Sequence, residues 1–176
     1  LWIDEDIGRG DLTRISVNNL IVSAYWVAKE EGIFCGGSLV EKLFQKFDSS
    51  IQVNLKVQDG SKFTINEHIL SLKGPAAALL AAERTSLNLA MHLSGISTAT
   101  ALLVEQLKGT NVRLADTRKT TPGLRVLEKY AVRCGGGINH RMGLDDAAML
   151  KENHLAWTNG IETTIQTVRK SCPWTS

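Results

Sequence analysis

The sequence lacks the features of a zinc protein or a disulfide-stabilised protein. Its three cysteines, Cys35, Cys134 and Cys172, are odd in number and far apart, and no CxxC pair occurs. A metal site or a dithiol redox motif is therefore not expected from the spacing. We interpret the three residues as free thiols of a protein in a reducing cytoplasm.

Long apolar runs and strong net charge are also missing. No uninterrupted apolar run approaches the roughly 20 residues that span a bilayer, and we expect no secretory leader. A net charge of only +2 gives a weak electrostatic case for nucleic acid, and no aromatic stacking platform accompanies the basic groups. With 43% hydrophobic and 22% charged residues, the composition is typical of a soluble globular protein.

The first half of the chain alternates between strand and helix patterns. Residues 20–28 are rich in β-formers, and residues 51–57 alternate strictly between apolar and polar, which predicts a half-buried strand. Asp59-Gly60 predicts the turn that follows. A further strand is predicted over 68–73, ending at Gly74-Pro75.

Two helical regions accompany these strands. Ser38 and Glu41 form a capping-box pattern, which predicts a helix with apolar residues at helical spacing up to Phe47. Residues 76–108 are rich in Ala and Leu and contain no proline, and we predict two helices there with a break near Ser94-Gly95. Core packing explains most residues of this stretch.

The second half repeats a strand, a polar loop and a helix. The first unit has a strand over 112–116, a polar loop, and a helix capped by Thr121 that ends at the glycines 135–137. The second has a predicted strand over 147–151 and a helix with a capping box at Asn159 and Glu162. This rhythm is typical of parallel β/α units, although two strands do not make a barrel.

Basic residues cluster where these strands are predicted to end. Arg118, Lys119 and Lys151 follow predicted strands, and His140-Arg141 follow the triple glycine. Ligands bind at the carboxyl ends of parallel strands, and a cluster of like charges is favourable mainly when an anion binds there. Taken singly, each residue is more often a solvated or structural side chain. The pattern therefore predicts an α/β domain with a site for a small, multiply anionic ligand.

Several strings go further, because they closely resemble the quinolinate phosphoribosyltransferase family. They occur in the family's order and spacing and cover essentially the whole chain. The strings are residues 5–13, 83–88 with 93–96, 116–125, 128–132, 135–144 and 150–154.

The resemblance implies an α/β fold with two parts. An N-terminal α/β sandwich with linking helices is expected over residues 1–109, and the first part of an open, incomplete β/α barrel over 110–176. The family couples quinolinate to 5-phosphoribosyl-1-pyrophosphate (PRPP) with Mg²⁺. The products are nicotinate mononucleotide, pyrophosphate and CO₂, as a step of NAD biosynthesis. Family members are homodimers, or assemblies of dimers, in which the neighbouring sandwich domain completes the site, and we expect this protein to be cytoplasmic.

The resemblance also implies roles for individual residues. Lys119 and Lys151 are the catalytic candidates. Among the implied substrate-binding residues, Arg84 reaches across the dimer to quinolinate. Thr117, Arg118 and Lys119 form the substrate-binding triplet. His140 and Arg141 line the dicarboxylate pocket, and Lys151 lies near the PRPP phosphates. No residue is expected to bind a metal directly.

The chain also departs from the family pattern. The family continues beyond Ser176 with acidic residues for ribose or metal and with glycine-rich phosphate loops, so we expect a C-terminally truncated chain. One alternative is a nicotinate phosphoribosyltransferase or a pyrophosphorylase-like protein of molybdenum-transport operons. Another is a non-catalytic substrate-binding or assembly fragment. Arg84 and the His140-Arg141 pair favour a dicarboxylate over a monocarboxylate.

Overall fold

The computed structural model describes residues 2–158 and 160–174, so Asn159 of the predicted capping box lies outside the described residues. The described elements, in chain order, are α1 (Trp2–Ile7), a 3₁₀ turn (Arg14–Val17), β1 (Ile21–Val27), β2 (Gly32–Ile33), α2 (Gly37–Phe47), β3 (Gln52–Leu55), β4 (Lys62–Phe63), β5 (His68–Pro75), α3 (Ala76–Gln106), α4 (Arg125–Cys134), α5 (Glu152–Ala156) and α6 (Ile161–Ser171).

The main sheet is antiparallel, with β5 in the centre between β1 and β3. All three strands were predicted. The alternation over 51–57 is confirmed, since Ile51 and Val57 are buried while Gln52 and Lys56 are exposed. Pro75 still pairs with Ile21, so β5 runs two residues past its predicted end. The two-residue strands β2 and β4 pair separately, and strands this short carry no periodicity from which to predict them.

Helices α2 and α3 cover one face of this sheet and enclose the core. Burying a large apolar side chain contributes about 1.5–3 kcal/mol, so this layer stabilises the first half of the chain. The α/β sandwich expected from the resemblance is therefore present. The buried cluster consists of Ala28, Phe34, Val40, Phe44, Ile51, Val57, Ile69, Leu70, Leu72, Leu79, Ala82 and Ala90.

Helix α3 is continuous over 31 residues, so the predicted break at Ser94-Gly95 is wrong. A glycine inside a helix costs about 1 kcal/mol, and packing of the helix on both sides of Gly95 outweighs that cost. The Ser94 hydroxyl accepts a hydrogen bond from the Cys35 N–H at 3.0 Å. Ser94 therefore ties the helix to the sandwich instead of ending it.

Helix α3 is also long and apolar enough to cross a bilayer by length and composition. Buried helices of globular cores meet the same criterion. Its inward residues Leu79 and Leu93 are each buried in an apolar cluster of the described residues. Glu83 and Arg84 lie exposed on its surface. We therefore interpret α3 as the central core helix.

Helix α2 is capped from a distance, and the predicted capping box at Ser38 and Glu41 is wrong. The helix begins at Gly37, and the Asp59 carboxylate accepts hydrogen bonds from the N–H groups of Gly36 and Gly37, each at 2.9 Å. Gly36 has φ +113°, which favours glycine. The predicted turn at Asp59-Gly60 is present, and it supplies the cap.

The second half contains one short parallel pairing. Ala115 bridges Ile138, with Asp116 N–H donating to the Ile138 carbonyl at 3.1 Å. The first parallel segment is the one at Ala115, and the second is the one at Ile138, directly after the glycines 135–137. The strand predicted over 147–151 is therefore wrong. That apolar run is irregular and partly exposed, because its apolarity alone did not distinguish a strand from a packed loop.

The helices of the second half differ from prediction mainly at their ends. Helix α4 begins at Arg125 instead of at a Thr121 cap. Helix α6 is present, but Ile161 and Ile165 of its apolar face are 52% and 37% exposed. The domain boundary predicted between 109 and 110 stays a prediction.

We predict that Asp59→Ala lowers the free energy of unfolding by about 2–3 kcal/mol. The change removes a helix cap and a charge-assisted bond, since Tyr130 Oη also donates to Asp59 Oδ2 at 2.7 Å. Tyr130→Phe removes only that second bond and should cost about 1 kcal/mol. Urea unfolding measures both, and equal losses in the two variants would show that the cap contributes nothing.

Candidate active site

The candidate site lies at the carboxyl ends of the two parallel segments. The loop Thr117–Thr120 follows the first segment, and His140-Arg141 follow the second. Because parallel segments end at the same edge, the bridge between Ala115 and Ile138 brings the two loops together. The loop that carries Arg118 and Lys119 therefore lies beside the one that carries His140 and Arg141, and the roles of these side chains stay predictions.

A buried ion pair fixes the two loops relative to each other. Lys129 Nζ lies 2.5 Å from Asp116 Oδ1 and 2.8 Å from the His140 carbonyl oxygen. The two side chains are only 2% and 7% exposed. Asp116 also accepts the His140 N–H at 2.8 Å and the Asn139 Nδ2 group at 2.6 Å. Buried charges persist when they are paired and hydrogen-bonded in this way.

A second carboxylate connects the site loop to α3. Glu128 Oε2 accepts the Thr121 N–H at 3.1 Å, and Glu128 Oε1 lies 2.9 Å from His92 Nε2. Desolvation raises the pKa of Glu128, but the bonds from Thr121 and His92 together outweigh it, so the pKa lies below its ordinary value of 4.5. Glu128 is therefore an ionised anchor of this loop at neutral pH.

Arg125 joins the two loops on their outer side. Its Nε donates to Thr120 Oγ1 and its Nη1 to the Met142 carbonyl, both at 3.1 Å. Sequence reasoning singled out neither Arg125 nor the carboxylates of Asp116 and Glu128 as site residues. No sequence signal marked them, because the burial of Glu128 and Lys129 is seen only in the structure.

The cations that face outward differ from the buried ones in having free donors. Lys119 and His140 are exposed, and neither side chain makes a hydrogen bond to a described residue. Arg118 Nε is buried without a partner among the described residues, and such a donor is costly unless a ligand supplies an acceptor. Arg141 is partly used by the protein, since its Nη1 donates to the Ala147 carbonyl at 2.6 Å.

A small cavity of about 200 Å³ lies beside these loops. A larger cavity of about 520 Å³ lies elsewhere, near the start of α3. Its charged lining residues are Arg14, Asp11 and Asp48, so it suits an anion less well. Of the predicted site residues, only Thr117 and Lys119 are among the described lining of the smaller cavity, whereas Arg118, His140 and Arg141 lie outside that lining. Its other lining residues are Ile96, Asp116, Thr120, Glu128, Lys129 and Val132.

Two predicted site residues are not joined to this cluster within the described structure. Arg84 is exposed on α3. Lys151 precedes α5, where its N–H donates to His154 Nδ1 at 3.2 Å. No hydrogen bond or ion pair links either side chain to the described site loops, so the roles of Arg84 and Lys151 stay predictions.

A sandwich that leads through a long helix into a parallel β/α pairing is a two-part α/β architecture. Two family profiles agree with this class. The quinolinate phosphoribosyl transferase N-terminal domain matches residues 11–94, and the C-terminal domain of the same family matches residues 96–176. The chain belongs to the quinolinate phosphoribosyltransferase family.

Individual relatives give the same result. The chain is 48% identical over 168 residues to a probable carboxylating nicotinate-nucleotide pyrophosphorylase of Bacillus subtilis, covering 95% of this chain and 58% of that protein. It is 43% identical over 174 residues to the protein of that name in Synechocystis, covering 98% and 59%. The solved nicotinate-nucleotide pyrophosphorylase of Francisella tularensis superposes with a TM-score of 0.95 at 39% identity, covering 98% and 62%. The chain thus spans about three fifths of the length of these relatives.

We predict that Lys129→Met lowers the free energy of unfolding by about 3–5 kcal/mol. The change leaves Asp116 buried without its ionic partner, which is the costly way to break a buried pair. Lys108→Met is the matched control, because Lys108 pairs with Glu105 in an exposed position and should cost less than about 1 kcal/mol. Chemical denaturation compares them, and similar losses would contradict a special role for the buried pair.

We predict that Glu128 contributes stability that depends on pH. Because its pKa is lower in the folded chain, the contribution is complete above its ordinary value of 4.5 and is lost as the pH falls through the folded pKa. Glu128→Gln should therefore be less stable than the parent at about pH 7, and the difference should shrink below about pH 4.5. Urea midpoints across this range test the prediction, and a difference that does not change with pH would contradict it.

Proposed function

We propose that this protein transfers the phosphoribosyl group of PRPP to quinolinate with loss of CO₂, giving nicotinate mononucleotide and pyrophosphate in NAD biosynthesis. The observation that carries the proposal is the joining of two cationic loops, 117–120 and 140–141, at one edge by the Asp116–Lys129 pair. The names of the relatives support it, since they are called carboxylating nicotinate-nucleotide pyrophosphorylases.

The chemistry of the loops suits quinolinate. Its two adjacent carboxylates repel each other and need several donors to replace their water. Arg118 and Arg141 offer planar guanidinium groups that bind carboxylates by paired hydrogen bonds. Lys119 and His140 add exposed donors beside them. Phosphate oxygens are bound by the same side chains, so Lys119 and, as a prediction, Lys151 also suit PRPP.

In the proposed reaction the protein positions two anions and stabilises charge. The pyridine nitrogen of quinolinate attacks C1 of the ribose, and the bond from C1 to pyrophosphate breaks. The resulting pyridinium accepts the electron pair of the neighbouring C–CO₂⁻ bond as CO₂ leaves, and a proton from solvent takes the vacated ring position. Holding both substrates in line and surrounding the leaving pyrophosphate with fixed positive charge supply the rate enhancement.

Mg²⁺ is proposed to arrive with PRPP. Mg²⁺ prefers oxygen ligands and retains several waters. At the described edge of the site, both carboxylates have a basic side-chain partner: Asp116 pairs with Lys129 and Glu128 with His92. A cation would have to displace these partners, so the phosphate oxygens of PRPP are the proposed ligands.

We further propose a cytoplasmic homodimer in which Arg84 serves the neighbouring site. Arg84 is exposed on the outer side of α3, and Leu80 and Met91 of the same helix are 51% and 57% exposed. An apolar surface around a free guanidinium suits a second copy of the chain, which would bury the apolar residues and bring Arg84 to a partner's ligand.

Quinolinate binding tests this proposal on the 176-residue chain. Isothermal titration with quinolinate should show binding that Lys119→Ala weakens by roughly tenfold or more, because a charged hydrogen bond contributes about 1.5–3 kcal/mol. Arg141→Ala should weaken it as well, but Arg141 also holds Ala147, so Lys119→Ala is the cleaner variant. Arg113→Ala, an exposed change at the other end of the first parallel segment, should bind normally.

Product formation then separates the alternatives. With Mg²⁺ and PRPP, we expect nicotinate mononucleotide from quinolinate and none from nicotinate. Product from nicotinate alone would instead identify the protein as a nicotinate phosphoribosyltransferase. Quinolinate binding without product would identify a substrate-binding fragment. Absence of quinolinate binding would overturn the assignment of these loops.

A further inference from the structure

Two cysteines that are 99 positions apart in the sequence meet at the junction of the two halves of the chain. Cys35 lies just before α2 and is fully buried, and Cys134 is the last residue of α4. The Asp59 carboxylate lies beside them. One ligand atom from each of Cys35, Asp59 and Cys134 lies within 4.8 Å of the other two. Spacing along the chain gave no sign of this group.

The surrounding structure holds the Asp59 side chain and the Cys35 backbone in place. Asp59 is fixed by the N–H groups of Gly36 and Gly37 and by the Tyr130 hydroxyl at 2.7 Å. The Cys35 N–H donates to Ser94 Oγ at 3.0 Å. A site whose ligands are positioned by backbone and neighbouring hydrogen bonds loses little entropy when a ligand binds.

We propose that Cys35, Cys134 and Asp59 form a binding site for a thiophilic divalent cation such as Zn²⁺. Two sulfur ligands and one carboxylate are a donor set that Zn²⁺ accepts, with Zn–S distances of about 2.3 Å. Tetrahedral ligands at that distance lie about 3.8 Å apart. The three ligand atoms lie within 4.8 Å of one another. Each pair therefore has to approach by about 1 Å or less to reach the tetrahedral spacing. Binding releases the two thiol protons and leaves two Zn–thiolate bonds.

The electrostatic environment of the pair favours a cation. Burial raises the pKa of Cys35, and the neighbouring Cys134 and Asp59 act in the same direction. A bound divalent cation offsets the two thiolate charges, which is how metal binding deprotonates thiols near neutral pH.

The site is separate from the proposed quinolinate loops. Its ligands come from the start of α2, the turn after β3 and the end of α4. A metal there would join the sandwich to the helix that carries Lys129 and Glu128. Its consequence is structural, so the inference does not depend on the proposed function.

Cadmium titration of the full 176-residue chain, kept reduced by a phosphine that does not chelate metals, tests the proposal. One equivalent of Cd²⁺ should produce an ultraviolet thiolate-to-metal charge-transfer band and raise the melting temperature, and Zn²⁺ should displace the band. Loss of an outer-shell partner costs about 10–100-fold in metal affinity, so loss of a ligand in Cys35→Ala or Cys134→Ala should cost at least about 100-fold.

Cys172→Ala is the matched control, because Cys172 lies after α6, outside the cluster. It should retain the band, the stoichiometry and the temperature shift. Circular dichroism confirms that each alanine variant is folded before it is titrated. The proposal is overturned by a reduced parent chain that binds no Cd²⁺, by binding that Cys172→Ala abolishes, or by binding that survives unchanged in Cys35→Ala and Cys134→Ala.

Discussion

The buried ion pair between Asp116 and Lys129 is the interaction on which the candidate site depends. A parallel pairing of a few residues is a weak connection by itself, because most of its backbone groups have no partner strand. Asp116 adds bonds to the backbone and side chain of the second segment, and Lys129 adds a bond to the His140 carbonyl. One helix side chain therefore fixes two loops. The pair is stable in its buried position because its donors and acceptors are matched.

A similar arrangement joins the first half of the chain to the second. Asp59 caps α2 with one carboxylate oxygen and accepts the Tyr130 hydroxyl of α4 with the other. The apolar cluster around Leu93 and Ala131 packs against the same junction. Apolar packing supplies most of the stabilisation there but little direction. The carboxylate supplies direction, since it is satisfied only when α2 and α4 take this relative position.

The sequence predicted features whose causes are local, and it failed where the cause lies elsewhere in the chain. Residues 51–57 were predicted correctly because alternation along the strand reflects its own two faces. The cap of α2 was missed because Asp59 is more than 20 residues away from Gly36. The break at Gly95 was wrong because packing overrides glycine's low helix propensity. The site loops were predicted from basic residues at predicted strand ends and then from the family resemblance, whereas Asp116 and Lys129 were passed over because burial cannot be read from a charged residue alone.

The two neighbouring lysines of the site show how the fold divides charge between structure and ligand. Lys129 uses its ammonium group on Asp116 and the His140 carbonyl, so its charge is already neutralised inside the protein. Lys119 is exposed and makes no side-chain hydrogen bond to a described residue, so its charge is available. If the internal carboxylates paired with Lys119 instead, the loops would lose their attraction for anions. The buried pair therefore positions the outer cations without consuming them, and this keeps the edge positive where an anionic ligand would lie.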